Sequence, residues 1–153
     1  MIKLTDDIVQ FFERQNFVSV STVERDGSLN NSCKGMVEIS NGGRVYLLDL
    51  YKKRTFKNLM KNPNISITAV DEHKFKGYCL KGKARITKPE ELKPHVLKAW
   101  EEKITSRITQ RVIKNIRGEK GHPRHPEASL PKPEYVIVME VKDVIDLTPH
   151  HLK

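Results

Sequence analysis

The segment Asp49-Leu50-Tyr51-Lys52-Lys53-Arg54-Thr55-Phe56-Lys57-Asn58-Leu59 carries the densest chemistry in the chain. A β-type run ends, three cations follow in a row, then a hydroxyl, and the pattern turns helical. The start of a helix presents unpaired backbone N–H groups and a partial positive charge, a combination that suits a phosphate. Lys53 and Arg54 would add charge-assisted hydrogen bonds, and Thr55 a neutral donor. Cations at a helix N-terminus oppose the dipole, which argues for an anion there. Read alone, the segment fits a solvated basic face equally well.

Two further segments bear polar groups at strand spacing. In Leu29-Asn30-Asn31-Ser32-Cys33-Lys34-Gly35-Met36, alternation puts Asn30, Ser32 and Lys34 on one face and Asn31, Cys33 and Gly35 on the other. One polar face either meets solvent or lines a ligand site, with Lys34 reaching toward an anion. In Tyr78-Cys79-Leu80-Lys81-Gly82-Lys83-Ala84-Arg85-Ile86 the cations alternate with packing residues, as in an amphipathic strand with a solvated basic face. Cys33 and Cys79, without Cys-x-x-Cys spacing, read as buried reduced thiols. His122 and His125 flank Arg124, and His150-His151 stand near the end, but no Asp, Glu or Cys joins them at ligand spacing, so no metal site is expected. No nucleophile–base arrangement is legible, and catalytic residues stay unassigned.

The elements that must position these groups follow from periodicity and turn signals. Residues 5–14 read as a short helix capped by Thr5, with Asp6 and Asp7 in its first turn. A strand through Phe17–Val23 leads into Glu24-Arg25-Asp26-Gly27, a hairpin signal. Strands over 28–40 and 44–50 complete a meander around Asn41-Gly42-Gly43. A helix over 52–61 stops at Asn62-Pro63, and strands over 64–70 and 76–87 follow. Leu97, Trp100, Ile104, Ile108, Val112 and Ile116, spaced by threes and fours, mark an amphipathic helix or helix pair, with Trp100 as core. Residues 118–133, rich in proline, read as a loop, and 134–147 as a closing strand. Short strands at this spacing make a closed or nearly closed antiparallel barrel.

Composition sets the outer bounds. The 153 residues suit one domain over 1–153, and 37% hydrophobic with 31% charged residues describes an ordinary folded chain. No apolar run approaches the ~20 residues of a membrane span. The acidic N-terminal stretch is unlike a signal peptide, so a cytoplasmic location is expected. With 28 basic and 19 acidic residues the formal charge is +9, which attracts polyanions without choosing among them.

In order, a strand, Asp-Gly, a polar strand, another strand, Lys-Arg-Thr-x-x-x-Leu-x-x-Asn-Pro, a strand and Gly-Tyr-x-x-Lys-Gly-x-Ala-x-Ile resemble the split β-barrels that bind flavin mononucleotide (FMN), the pyridoxamine 5′-phosphate oxidase-like superfamily. The resemblance covers residues 5–87 by motif and the remainder by architecture. It implies a mainly β (α+β), six-stranded antiparallel split β-barrel with flanking short helices. It also implies an FMN phosphate on Lys53, Arg54 and Thr55, a ring beside Leu48, Asp49 and Leu50, and further contacts from Ser32, Cys33 and Lys34. A homodimer with the cofactor at its interface is implied too. The superfamily's namesake reads its substrate with a C-terminal Arg-x-His, whereas residues 134–147 contain neither Arg nor His, so that activity is not expected. The expected function is FMN-dependent oxidoreduction or electron transfer with a small-molecule substrate or an NAD(P)H-type donor. The alternatives are a haem- or deazaflavin-binding relative, or a basic nucleic-acid-binding domain, which has no RNA or DNA signature to support it.

Overall fold

A computed structural model describes residues 1–49, 51–118 and 134–152. Six strands, β1 (Val18–Val23), β2 (Leu29–Ile39), β3 (Arg44–Leu48), β4 (Asn64–Asp71), β5 (Lys76–Thr87) and β6 (Val136–Asp146), are joined by helices α1 (Asp6–Glu13), α2 (Arg54–Leu59) and α3 (Pro94–Ile116). The strands close a barrel in the order β1-β2-β3-β6-β5-β4, every pairing antiparallel. Closure leaves no sheet edge unpaired.

Local sequence accounts for most elements. Thr5 caps α1 by accepting from the Ile8 N–H. Gly27 adopts φ +87° in the β1–β2 turn, a conformation open to glycine at no steric cost. β3 and the first half of β6 have near-continuous apolar sequences because both their faces are covered. Val45, Leu47, Ile137 and Met139 fill the barrel, while Tyr46, Leu48, Val136 and Val138 pack outward against Val96 and Trp100 of α3. Trp100 is therefore core, as its place in the stripe predicts. Residues 94–116 form one helix rather than a pair.

The two small helices serve opposite ends of the barrel. α1 lies by the β2–β3 turn and the start of β5, where Asn41 bonds Asp6 and Lys76 bonds Asp7; its Phe12 is fully buried. α2 lies at the other end, beside the end of β1 and the first half of β2.

Several expectations are corrected. α2 is shorter than 52–61: Lys53 has a non-helical backbone (φ −98°, ψ −142°) and its N–H closes a tight turn onto the Tyr51 carbonyl. β3 ends at Leu48, with Asp49 already outside the strand. Cys33 is exposed and Cys79 half-buried, both free. Their registers explain it, since Cys33 pairs with Ser19 and Cys79 with Thr68 on the outward face. The loop expected over 118–133 falls, beyond Gly118, outside the described residues, as do His122, Arg124 and His125.

β2 and β5 each carry an irregularity. In β2 the register shifts between Met36 and Glu38, so even positions face inward before the shift and Ile39 faces inward after it. In β5 it falls between Lys81 and Gly82, where a Cβ on Gly82 would drive into the Glu140 carbonyl. Gly82→Ala should therefore lower stability by about 1–3 kcal/mol, read as a reduced urea midpoint with an unchanged slope. At the α1 end, the Lys76 ammonium and then the Tyr78 phenol hold the Asp7 carboxyl below the usual carboxylate range. A depressed carboxyl contributes stability above its unfolded pKa, and that stability is lost as pH falls through the folded one. Unfolding followed against pH should accordingly show the wild type losing its advantage over Asp7→Asn below about pH 4.

Candidate functional site

The inner face of β2 turns polar at the α2 end. Val18 pairs with Lys34 and Val20 with Ser32, so Ser32 and Lys34 share the inward face with core valines. α2 covers that polar patch. The Ser32 and Thr55 hydroxyls lie 3.0 Å apart, and Asn58 donates to Thr22 Oγ1 at 3.0 Å. Asn30 reaches the same oxygen at 3.4 Å. Thr22, Thr55 and Asn58 are all buried, so these bonds satisfy groups that would otherwise be costly to keep from water.

A second cluster sits at the adjoining strand ends. Gly35 pairs with Leu48, and Leu48 with Val136. One residue further along, the same registers set Lys34 opposite Asp49 and Asp49 opposite Tyr135. Lys34 Nζ donates to Asp49 Oδ1 at 2.7 Å, and the Tyr135 hydroxyl donates to Oδ2 at 2.5 Å. Asp49 is only 2% exposed, and a buried carboxylate is tolerated when both oxygens are paired. Burial first, and then the bond to Asp49, push the Tyr135 phenol far above its ordinary range, which favours its protonated, donating form. Its ring packs edge-on to Phe56 of α2, centroids 4.8 Å apart.

The cations at the start of α2 face outward. Lys53, which caps the helix without a side-chain hydrogen bond, lies over the Tyr51 ring. Arg54 is 77% exposed and only 3.8 Å from Glu24 at its nearest, a weak surface pair. Lys52 pairs with Glu134 and lies over Phe56. No acidic residue occupies the first turn.

The fold thus sorts the predicted site residues. Ser32, Lys34, Asp49 and Thr55 converge at one barrel mouth, with Lys53 and Arg54 at its rim. Cys33 lies on the opposite face of β2. The Leu48 side chain is buried under α3, leaving its backbone between β2 and β6. Leu50 lies outside the described residues. Tyr135, Asn58 and Thr22 were missed. The signal for Tyr135 was a phenol inside an apolar strand, which needs a partner for its hydroxyl; that the partner is Asp49 depends on a β3–β6 register set far apart in sequence. On β5, Lys81, Lys83 and Arg85 are exposed as expected. Among the described residues no group of three or more His, Cys, Asp or Glu could hold a metal ion, and no helix is long and apolar enough to cross a membrane.

A family profile for pyridoxamine 5′-phosphate oxidase matches residues 4–147. The chain belongs to that family. A protein of Methanocaldococcus jannaschii is 28% identical over 73 residues, covering 46% of this chain and 48% of the relative, so the match spans about half of that protein. Among solved members of the fold, HupZ of Group A Streptococcus superposes with TM-score 0.67 at 19% identity, covering 95% of this chain and 94% of its own. An F420 reductase gives 0.58 at 14%, covering 93% and 98%. HutZ, the heme storage protein from Vibrio cholerae, gives 0.54 at 17%, covering 94% of each chain. At these identities the three structures share the family's fold and no more.

Asn58→Ala would strip the buried Thr22 of its closer partner and loosen the seat of α2. A loss of about 1–2 kcal/mol is expected, measured by urea unfolding against Lys61→Ala, an exposed control that should stay within about 0.5 kcal/mol of wild type.

Proposed function

We propose that this family member binds FMN at the α2 mouth of the barrel and uses it to move electrons. One observation carries the reading. An uncapped, acid-free helix start bearing Lys53 and Arg54 stands beside a polar strand face that brings Ser32 and Lys34 to the same mouth. Such a helix start suits a phosphate both by its free N–H groups and by its charge. In this reading Lys53, Arg54 and Thr55 hold the phosphate, with the Ser32 hydroxyl adjoining. Asp49, Lys34 and the backbone near Leu48 line the ring end. FMN, when bound, supplies the electron or hydride transfer, and the protein supplies binding, orientation and electrostatics. No side chain need act as a general base, in keeping with the absence of a legible catalytic constellation.

The reading extends to assembly. Cys33 cannot meet the ligand that Lys34 of the same protomer meets, because the two project from opposite faces of β2. Its exposed position, beside Ser19 and Asn31, suits a partner subunit, so we place the cofactor at the interface of a homodimer. Equilibrium sedimentation should return twice the chain mass. The electron partner is a small molecule, either a substrate or an NAD(P)H-type donor.

The decisive measurement is the visible spectrum of the purified protein, with identification of the cofactor released by heat. A flavin spectrum is expected. The names of the structural neighbours raise haem and a deazaflavin as other occupants; a Soret band or a deazaflavin spectrum would replace the FMN assignment. A colourless protein that takes up no added FMN would defeat it. Charge-assisted hydrogen bonds contribute about 1.5–3 kcal/mol, so Arg54→Ala should weaken FMN binding roughly 10- to 100-fold in a fluorescence titration. Unchanged affinity in the folded variant would remove Arg54 from the phosphate site.

A further inference from the structure

Neither the electron-transfer reading nor the expected site residues use Tyr135. Yet it is one of the most confined polar groups at the barrel mouth: 3% exposed, inward-facing, and packed against Phe56 of the helix that covers the site. Its hydroxyl bonds Asp49, whose other oxygen bonds Lys34. Of the three, only Lys34 keeps some access to the outside, with 14% of its side chain exposed. An ammonium carries three N–H donors, and Asp49 takes one of them. The line Tyr135–Asp49–Lys34 therefore runs from the closed side of the mouth to its open side and ends on a cation that can still donate.

The position of that cation along β2 is informative. Ser32, two residues before Lys34, meets Thr55 on the inward face. Two residues of strand span about 6.6 Å, so Ser32 marks the phosphate end of the proposed site. Lys34, against Asp49 at the end of β3, marks the ring end. We propose that Tyr135 is a positioning residue that acts through Asp49 to fix the direction and effective charge of the Lys34 ammonium toward the reducible ring, and thereby raises the reduction potential of the bound cofactor. This inference rests on the flavin reading above.

The physical reason lies in how one carboxylate is shared. Asp49 alone would neutralise much of the field of Lys34. A phenol donating to the second oxygen withdraws negative charge from the carboxylate, because O–H···O⁻ bonds are among the strong class. It also fixes which oxygen faces Lys34. Electron density gained by a bound ring on reduction would then meet a less compensated cation, and a Lys34 side chain only 14% exposed acts more strongly than a charge in open water. Burial and the neighbouring negative charge keep the phenol protonated, so the donor persists across the working pH range.

The test uses the full chain loaded with FMN and reads the midpoint potential of the bound cofactor by equilibrium dye titration, beside a thermal unfolding curve. Lys34→Met should shift the potential to more negative values. Tyr135→Phe should shift it the same way by a smaller amount, with the preference for reduced over oxidised FMN falling about tenfold, equivalent to about 30 mV for a two-electron couple. Replacing Tyr135 by 3-fluorotyrosine keeps the shape and makes a stronger donor, so it should move the potential to more positive values without disturbing the fold. A purely structural Tyr135 would lower stability while leaving the potential in place. If the phenylalanine and fluorotyrosine proteins both bind FMN at the wild-type potential, the inference is overturned while the flavin reading stands. If the wild-type chain takes up no FMN at all, both fall.

Discussion

A carboxylate withdrawn from water must be paired on both oxygens or it will not stay charged, and Asp49 imposes that demand at the junction of three strands. Lys34 from β2 meets one oxygen, and Tyr135, just ahead of β6, meets the other. The three positions are cross-strand neighbours, so the pairings hold only while the β2–β3 and β3–β6 registers are as observed. A slip of one residue in either would bury an unmatched charge. Phe56 on the Tyr135 ring then links this junction to α2, which Asn58 and Thr55 fasten to β1 and β2. The polar groups at the mouth thus fix both the barrel's alignment and the seat of the helix that overhangs it.

The sequence was most legible where a local signal was also the deciding one. Asp26-Gly27 set the first hairpin, Thr5 set the start of α1, and the runs over 44–50 and 134–147 announced β3 and the closing strand β6. Alternation around Ser32 and Lys34 correctly paired those residues on one face. What escaped depended on distant partners. The cysteines look like core residues in isolation and prove outward-facing only once Ser19 and Thr68 are known to be their neighbours. The helical pattern at Lys52 and Lys53 gave no sign of the turn that delays α2. Tyr135 went unremarked within the closing strand because its partner stands 86 positions away.

The polar layer also divides labour between order and contact. Ser32 bonds Thr55 and Asn58 bonds Thr22, two links that help keep the mouth in shape. Among the described residues Lys53 and Arg54 have no strong ion-pair partner, and so their charge remains directed outward. Rigid groups beneath and uncommitted cations at the rim are the arrangement expected where an anionic ligand lies across the opening.

The register shift in β2 makes one strand behave as two. Ahead of it, residues 30, 32 and 34 turn polar side chains toward the mouth and Met36 of the same parity reaches the apolar centre; beyond it, Ile39 serves that centre at the opposite parity. The parity of Ile39 consequently places no restriction on the residues ahead of the shift. The side chain at 30, whose bond to Thr22 is the longer of the two that oxygen accepts, can be exchanged with little effect on the interior, whereas 32 and 34 stay tied to Thr55 and Asp49. Versatility of that kind needs no new architecture.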